Sequence, residues 1–458
     1  MIDNFILDQI VKIVGDPHIK KGNKICTVFP YNTEEIRQII ELANQNKLNL
    51  FTKTCDDDFH YISEINSDGI ILDLTRINKI QKIDVKSRSV NIEPGVSFFQ
   101  LQKELKKYGL RAINPIGLHA SNSVLNAYVE RIPLLSAPKP LLANGWQCLL
   151  DMEVILPTGG IIKTGASSIM NMEKPFFWPF GCGPDLSRVI SASQGSLGLA
   201  TNATIKVKRI PESRKLLLFG YDKLDDSIDL LYRIQRDDIG EECIFMNNFT
   251  LSNLLSEDSS EFEKYSKNLP NWILILCLIG SEGKIKYQEE DLIDLGAITI
   301  TKSPMIENII PELLDEFFCP QRISRLLEFK KVCRKISFYT TLDKIHSVNL
   351  KVNNLIQSYN YPLDELGAFI TPVELGRACF IEYYIFANLS KKEEKEKMEK
   401  LYIEIYELLI NLGANIDRPF GNVVKMVYSG NPTYRDFLKS VKNQLDPNNI
   451  MNANRFEI

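Results

Sequence analysis

The sequence predicts an α+β protein built from two packed domains. Three observations predict it. The first 210 residues alternate helical stretches with many short strand-like ones. A second alternation of helices and strands runs from about residue 212 to 405. The length, 458 residues, suits two or three domains and a large buried core.

The elements follow in chain order. After Pro30, the stretch Thr33-Glu-Glu-Ile-Arg-Gln-Ile-Ile-Glu-Leu-Ala predicts a helix with Thr33 as its N-cap and Ile36, Ile39, Ile40 and Ala43 on one face. Leu48 to Thr54 reads as a short strand, as does Gly69 to Leu74. Ile80-Gln-Lys-Ile-Asp-Val and Ser89-Val-Asn-Ile-Glu-Pro come close to the period of two expected of half-buried strands. Phe98 to Gly109 is an amphipathic helix stopped by its glycine. Cys148 to Leu156 leads into the tight turn Pro157-Thr-Gly-Gly and a further strand from Ile161.

The second stretch starts strand-like at Lys215-Leu-Leu-Leu-Phe-Gly and contains a polar, acidic loop at Ser256 to Glu263. Trp272 to Ile279, eight apolar residues between Pro270 and Gly280, reads as a buried strand. Ser390-Lys-Lys-Glu393 is a capping box opening a helix through Met398, Leu401, Ile405, Leu408 and Leu412, with Lys391 to Lys400 as its solvated first half.

Composition narrows the function. Lys+Arg 54 against Asp+Glu 58 leaves a formal net charge of −4, which supplies no basic surplus for nucleic acid. No run approaches the roughly 20 apolar residues of a membrane helix. The start, Met1-Ile-Asp-Asn-Phe-Ile, has an early acid and no basic stretch, so no signal peptide is expected and a cytoplasmic location is. Nine scattered cysteines, none at metal-ligand spacing, fit reduced thiols, and four histidines (18, 60, 119 and 346) leave no multi-histidine metal site.

Five segments carry a resemblance when taken in order: Ile70-Ile-Leu-Asp-Leu-Thr-Arg-Ile-Asn-Lys-Ile; Val90-Asn-Ile-Glu-Pro-Gly-Val-Ser-Phe; Asp151 to Gly165; Trp178-Pro-Phe-Gly-Cys-Gly-Pro-Asp-Leu-Ser-Arg-Val-Ile-Ser-Ala-Ser-Gln-Gly-Ser-Leu-Gly-Leu-Ala-Thr201; and Leu445-Asp-Pro-Asn-Asn-Ile-Met-Asn-Ala-Asn-Arg455. Together they resemble the flavoprotein family of vanillyl-alcohol oxidase and 4-cresol dehydrogenase, which includes the FAD-linked 2-hydroxy-acid dehydrogenases. The resemblance implies a PCMH-type FAD-binding domain over residues 1–211, an antiparallel-sheet cap domain shaping the substrate pocket over 212–413, and a C-terminal segment, 414–458, that returns to the FAD domain.

It also implies which residues meet FAD. Gly195, Ser196, Leu197 and Gly198 would lie near the flavin with Thr201 just beyond, and Gly183, Asp185 and Ser193 belong to the same segment. Pro94 and Gly95 belong to the same fold core, and Arg455 closes the chain's family motif. The family's glycine-rich pyrophosphate loop corresponds here to Thr54-Cys-Asp-Asp-Asp-Phe-His-Tyr-Ile62, where Cys55, Phe59, His60 and Tyr61 are candidates but Asp56, His60 and Ile62 replace glycines. Three adjacent carboxylates are adverse beside a pyrophosphate. The second flavin-contacting turn, Asn114 to Ala127, contributes His119 and Ser123 and has Leu125 near a usual glycine, and Ala453-Asn454 stand for Pro-Gly.

Two readings follow. The loop binds FAD in a modified way, or the chain is a non-catalytic flavin-fold subunit that has lost FAD and serves as a structural or interaction partner. Covalent attachment through His60 competes with a loop histidine pairing with Asp56 to Asp58, and the pairing is favoured. As an enzyme, the chain would oxidise a small alcohol, phenol or hydroxy acid by hydride transfer to flavin N5. The histidine-rich metal motif of hydroxy-acid members is absent, and phenol-oxidising members use tyrosines and an arginine. Arg377, Glu382, Tyr384 and Arg418 are the catalytic candidates, with Glu382 and Tyr384 on one strand face and Tyr383 on the other. The bland alternatives are a half-buried aromatic strand and a salt bridge from Arg418 to Asp417 or Glu382. With no haem motif or iron–sulfur cysteine cluster, electrons would go to oxygen or to a separate redox protein, and a homo- or hetero-oligomer is open.

Overall fold

The computed structural model describes residues 3–22, 24–54, 68–115, 121–169, 178–181, 183–301, 304–319, 333–386 and 392–453. Among these, three main sheets organise the chain. The first has the order β1-β2-β4-β3, from β1 (Ile19–Lys21), β2 (Ile25–Val28), β3 (Asn49–Lys53) and β4 (Gly69–Asp73). β4 runs parallel to both β2 and β3. The helix Thr33–Gln45 makes the crossover, and its Ile36, Ile39, Ile40 and Ala43 are all buried on the predicted face. Its N-cap is Asn32 rather than Thr33: the Asn32 side chain accepts from Glu35 N at 2.9 Å. The Glu35 carboxylate in turn accepts from Tyr31 N and the Asn32 amide, which Thr33, already inside the first turn, could not arrange.

The second sheet is antiparallel throughout, in the order β5-β6-β10-β8-β9, from β5 (Ile80–Asp84), β6 (Ser89–Ile92), β8 (Leu149–Ile155), β9 (Ile161–Lys163) and β10 (Leu199–Lys206). Gly159, at φ +90°, makes the predicted turn between β8 and β9. A small pair, β7 (Leu110–Arg111) and β11 (Lys208–Arg209), leads toward the third sheet.

That third sheet has six antiparallel strands in the order β12-β14-β13-β16-β17-β15: β12 (Ser213–Tyr221), β13 (Glu242–Asn247), β14 (Trp272–Gly280), β15 (Cys333–Thr340), β16 (Gly367–Val373) and β17 (Ala378–Phe386). Strand β14, second from the edge and flanked by β12 and β13, is the eight-residue apolar run, buried from Ile273 to Leu278. Helices including Asp225–Arg236, Ile345–Ser358 and Lys392–Asn411 cover one face through Leu231, Val352 and Leu401. The opposite face packs Phe369, Phe380 and Tyr384 into a second core that takes in Leu135, Ala137 and Ala143 from the first part of the chain. The segment expected as an acidic loop at Ser256–Glu263 instead starts a helix, Ser259–Asn268. Asp258 is its N-cap, accepting from Ser260 N and Glu261 N, and the first-turn acid Glu261 suits the helix dipole.

A buried ion cluster joins the β7–β11 pair to the third sheet. Arg111 on β7 meets Glu242 Oε1 at 2.6 Å, and Arg214 on β12 meets Glu242 Oε2 at 3.0 Å. Burial pushes the Glu242 carboxyl up, but the two guanidinium groups outweigh it and hold it below its ordinary range. Close by, the Asn114 amide donates to the carbonyls of Phe317 and Phe318 at the end of helix Pro304–Phe318. Among the described residues no helix is long and apolar enough to cross a membrane.

Candidate functional site

Parallel strands leave a crevice beyond their carboxyl ends, and ligands of open α/β sheets favour that place. Here the carboxyl ends of β3 and β4 meet three other pieces of chain. Lys53 closes β3 and reaches Asp73, the last residue of β4, at 3.2 Å. The Pro94-Gly95 turn follows β6 and lies on the strand ends: Gly95 N donates to Ile77 O at 2.7 Å. A Cβ on Gly95 would stand 2.6 Å from Leu74 O, so only glycine fits this approach. Ser123 donates to Pro94 O at 2.5 Å and caps the helix Val124–Val129 by accepting from Asn126 N.

The second piece is the turn before β10. Ala192, Gln194 and Gly195 all have positive φ, at 58°, 52° and 68°. Non-glycine residues in that region cost of order 1–2 kcal/mol each, and strain of this kind collects at functional sites. Hydrogen bonds hold the turn: Ala192 N donates to Val129 O, and the Gln194 amide donates to Pro419 O at 2.7 Å.

The third piece is the C-terminal segment. Leu50 N donates to Ile450 O at 2.7 Å and Asn452 N to Leu50 O at 2.8 Å, so the tail lies parallel along β3, the sheet's edge strand. The Asn452 side chain then donates to Gln194 O at 2.9 Å and to Thr52 Oγ at 3.3 Å. A Cβ on Gly195 would sit 2.6 Å from that amide nitrogen.

Around this junction four buried side-chain oxygens have no hydrogen-bond partner among the described residues: Ser193 Oγ, Gln194 Oε1, Ser196 Oγ and Asn452 Oδ1. Buried polar atoms are nearly always satisfied, so such a cluster marks a place for a ligand rich in donors and acceptors. A flavin ring, with an N–H and several acceptors, fits that demand.

One face of the third sheet carries the catalytic candidates Glu382 and Tyr384. The register sets Lys335 opposite Tyr384 and Ser337 opposite Glu382 on β15 and β17, with Phe369 of β16 also opposite Glu382. Glu382 and Tyr384 are both buried and share the face, whereas Tyr383 packs in the other core and donates to Asn349 Oδ1. The Lys335 ammonium lies 5.6 Å from the centre of the Tyr384 ring. Paired backbone bonds between Tyr339 and Asn415 bring the segment after Gly413 against β15. Arg418 then lies 3.4 Å from Asp417 and adjoins Pro419, the residue held by Gln194.

Electrostatics report the same neighbourhood. Burial pushes the Tyr406 phenol up to about 12, with Glu382 adding to the rise and Arg418 opposing it. Burial likewise raises Tyr339, with Asp417 reinforcing and Arg418 and Arg131 opposing.

Glu382 and Tyr384 thus share a face, and Glu382 and Arg418 both act on the Tyr406 phenol, whereas Arg377 lies apart from them. It sits in the β16–β17 hairpin turn, where Glu374, Leu375 and Gly376 all have positive φ, and its exposed side chain pairs with Glu374. Asp185 caps a helical turn by accepting from Ser187 N. Gly183 is exposed, Gly198 packs against Val154, and Thr201 is turned to Glu153. Thr54 directly follows β3. Cys55 to Ile62, with Phe59, His60 and Tyr61, lie outside the described residues, as do His119, Cys182 and Arg455. Lys335 and Tyr339 were missed. The alternation Lys335, Ser337, Tyr339 against Ile336 and Phe338 carried the signal.

The comparisons agree with this geometry. Residues 25–165 match the FAD binding domain family and residues 378–455 the C-terminal domain of FAD linked oxidases. These matches identify an FAD-binding domain and an FAD-linked-oxidase C-terminal domain within the chain. FAD is the cofactor of these domains. The chain is 23% identical to the glycolate oxidase subunit GlcD of Bacillus subtilis (strain 168), over 99% of this chain and 97% of the relative. It is 23% identical to a D-lactate dehydrogenase of Anaerostipes hadrus, over 93% and 87%. In fold it is similar to p-cresol methylhydroxylase with substrate bound, at TM-score 0.82, 15% identity and coverage of 99% and 96%. The 4-ethylphenol oxidase of Gulosibacter chungangensis has TM-score 0.82, 13% identity and coverage of 98% and 95%.

Proposed function

We propose that this FAD-linked oxidoreductase oxidises a small alcohol, phenol or hydroxy acid at the face formed by Glu382, Tyr384 and Arg418, and that the chain divides at residues 211 and 413 into FAD-binding domain, cap and returning tail. The observation that carries the reading is the link from Gln194 to Pro419, which joins the strained Gly195 turn to Arg418 and so to the sheet face. Gly195, Ser193, Ser196 and Asn452 would hold the cofactor, with Pro94-Gly95 closing the same crevice. Bound FAD supplies the hydride acceptor. Glu382 takes the hydroxyl proton of the substrate, Tyr384 orients that oxygen, and Arg418 balances developing negative charge. Water is kept out by Phe369 and Phe380 on the same face. Electrons leave to oxygen or to a separate redox protein.

The test begins with the visible absorption spectrum of the purified chain, repeated on the supernatant after acid precipitation. Flavin bands released by acid are expected. A colourless protein that takes up no added FAD would sink the enzyme reading in favour of a flavin-fold partner subunit. With flavin present, Tyr384→Phe and Glu382→Gln are expected to lower kcat by about 10²–10⁴-fold on the substrate found by screening, with flavin content unchanged.

A further inference from the structure

The helix Pro432–Leu445 buries one residue among those described, and that residue is a lysine. Lysine is almost never fully buried unless its charge is paired, so this placement asks for a reason. An ammonium has three N–H donors, and Lys442 commits all three. It donates to Asp446 Oδ2 at 2.5 Å, to Ser196 O at 2.8 Å and to Met451 O at 3.0 Å. Asp446 is itself fully engaged, accepting from Ile450 N and Met451 N, which shapes the tail just where it pairs with β3.

The consequence lies at Gly195. The carbonyl before it, of Gln194, is held by the Asn452 side chain, and the carbonyl after it, of Ser196, is held by Lys442. Lys442 also grips the carbonyl of Met451, the residue preceding Asn452. One ammonium thus sets both ends of the turn that carries the unpartnered oxygens of Ser193, Gln194 and Ser196, and the placement of the fourth on Asn452.

We propose that Lys442 is a positioning residue for flavin binding: from a helix outside the crevice it fixes the Gly195 turn and the Asn452 side chain in the arrangement that receives FAD. This rests on the oxidoreductase reading above. Lys442 touches no reacting atom and acts through Ser196 and Met451.

The experiment uses the full chain, stripped of flavin, and measures FAD affinity by flavin fluorescence together with the thermal midpoint of the apoprotein. Lys442→Met alone leaves Asp446 as a buried unpaired carboxylate, so the main variant is Lys442→Met with Asp446→Asn, which removes both charges at similar volume. It is expected to fold and to bind FAD about ten- to a hundredfold more weakly, the scale of lost hydrogen bonds to a charged group. The bound flavin's visible band is expected to shift with it. Lys442→Arg keeps the charge without the three-way geometry and is expected to bind more weakly by a smaller factor. Affinity and spectrum unchanged in the double variant and in Lys442→Arg, whatever the midpoint does, would overturn the proposal and leave Lys442 a purely structural residue. Failure of the wild-type chain to take up FAD would overturn the oxidoreductase reading, and this proposal with it.

Discussion

Glu242→Gln should be one of the most damaging single changes outside the crevice. The carboxylate accepts from Arg111 on β7 and Arg214 on β12, with side-chain exposures of 3%, 3% and 12% for Arg111, Glu242 and Arg214. Glutamine keeps the shape but leaves two guanidinium charges buried without a counter-charge. Removing one partner of a buried pair costs about 3–5 kcal/mol, most of it the desolvation of what remains. For 458 residues unfolding as one unit, typical unfolding entropies convert this to a Tm loss of about 1 °C per kcal/mol. The cluster also joins the β7–β11 pair to the third sheet, so the variant is expected to split the transition in calorimetry as one part loses its neighbour. The pH dependence has a definite sign. The folded-state carboxyl lies below its ordinary range, so its stabilisation is present above that range and disappears as pH falls through the folded value. A Glu242→Gln variant with a single transition and an unchanged midpoint at neutral pH would refute this reasoning.

Gly195→Ala combines a left-handed φ of 68° with a Cβ 2.6 Å from the Asn452 amide, and should cost about 2 kcal/mol or more in urea unfolding while weakening FAD binding. Asn32→Ala removes the cap of the first crossover helix and should cost about 1 kcal/mol by the same measure.

What could be read from the sequence was local and periodic. The apolar face of Thr33–Gln45, the Trp272 strand and the split of Glu382 and Tyr384 from Tyr383 all follow from periods of 3.6 or two, which short windows carry. The Asn32 cap was missed because Asn and Thr are both good caps standing side by side. The helix at Ser259 was hidden because Asp and Ser favour loops and N-caps alike. Arg377 was grouped with Glu382 because only Gly376 betrays a turn whose Glu374 and Leu375 are also left-handed. The Arg111–Glu242–Arg214 cluster and the grip of Lys442 on Ser196 join residues 131 and 246 positions apart or bridge different sheets, and no window of sequence contains such pairs.

The tail along β3 has a consequence for the order in which the protein is made. Thr52 and Asn452, hydrogen-bonded in the finished molecule, are 400 residues apart. At ordinary rates of synthesis, β3 emerges about 20–80 s before the residues that cover its edge. Throughout that interval the strand presents free backbone groups, an invitation to pair with another nascent chain. The Gly195 turn likewise waits for Asn452 and Lys442 before its geometry is complete. The proposed FAD crevice is thereby incomplete until residue 452 has emerged, and any product that stops short of residue 450 carries both an open sheet edge and an unfinished Gly195 turn.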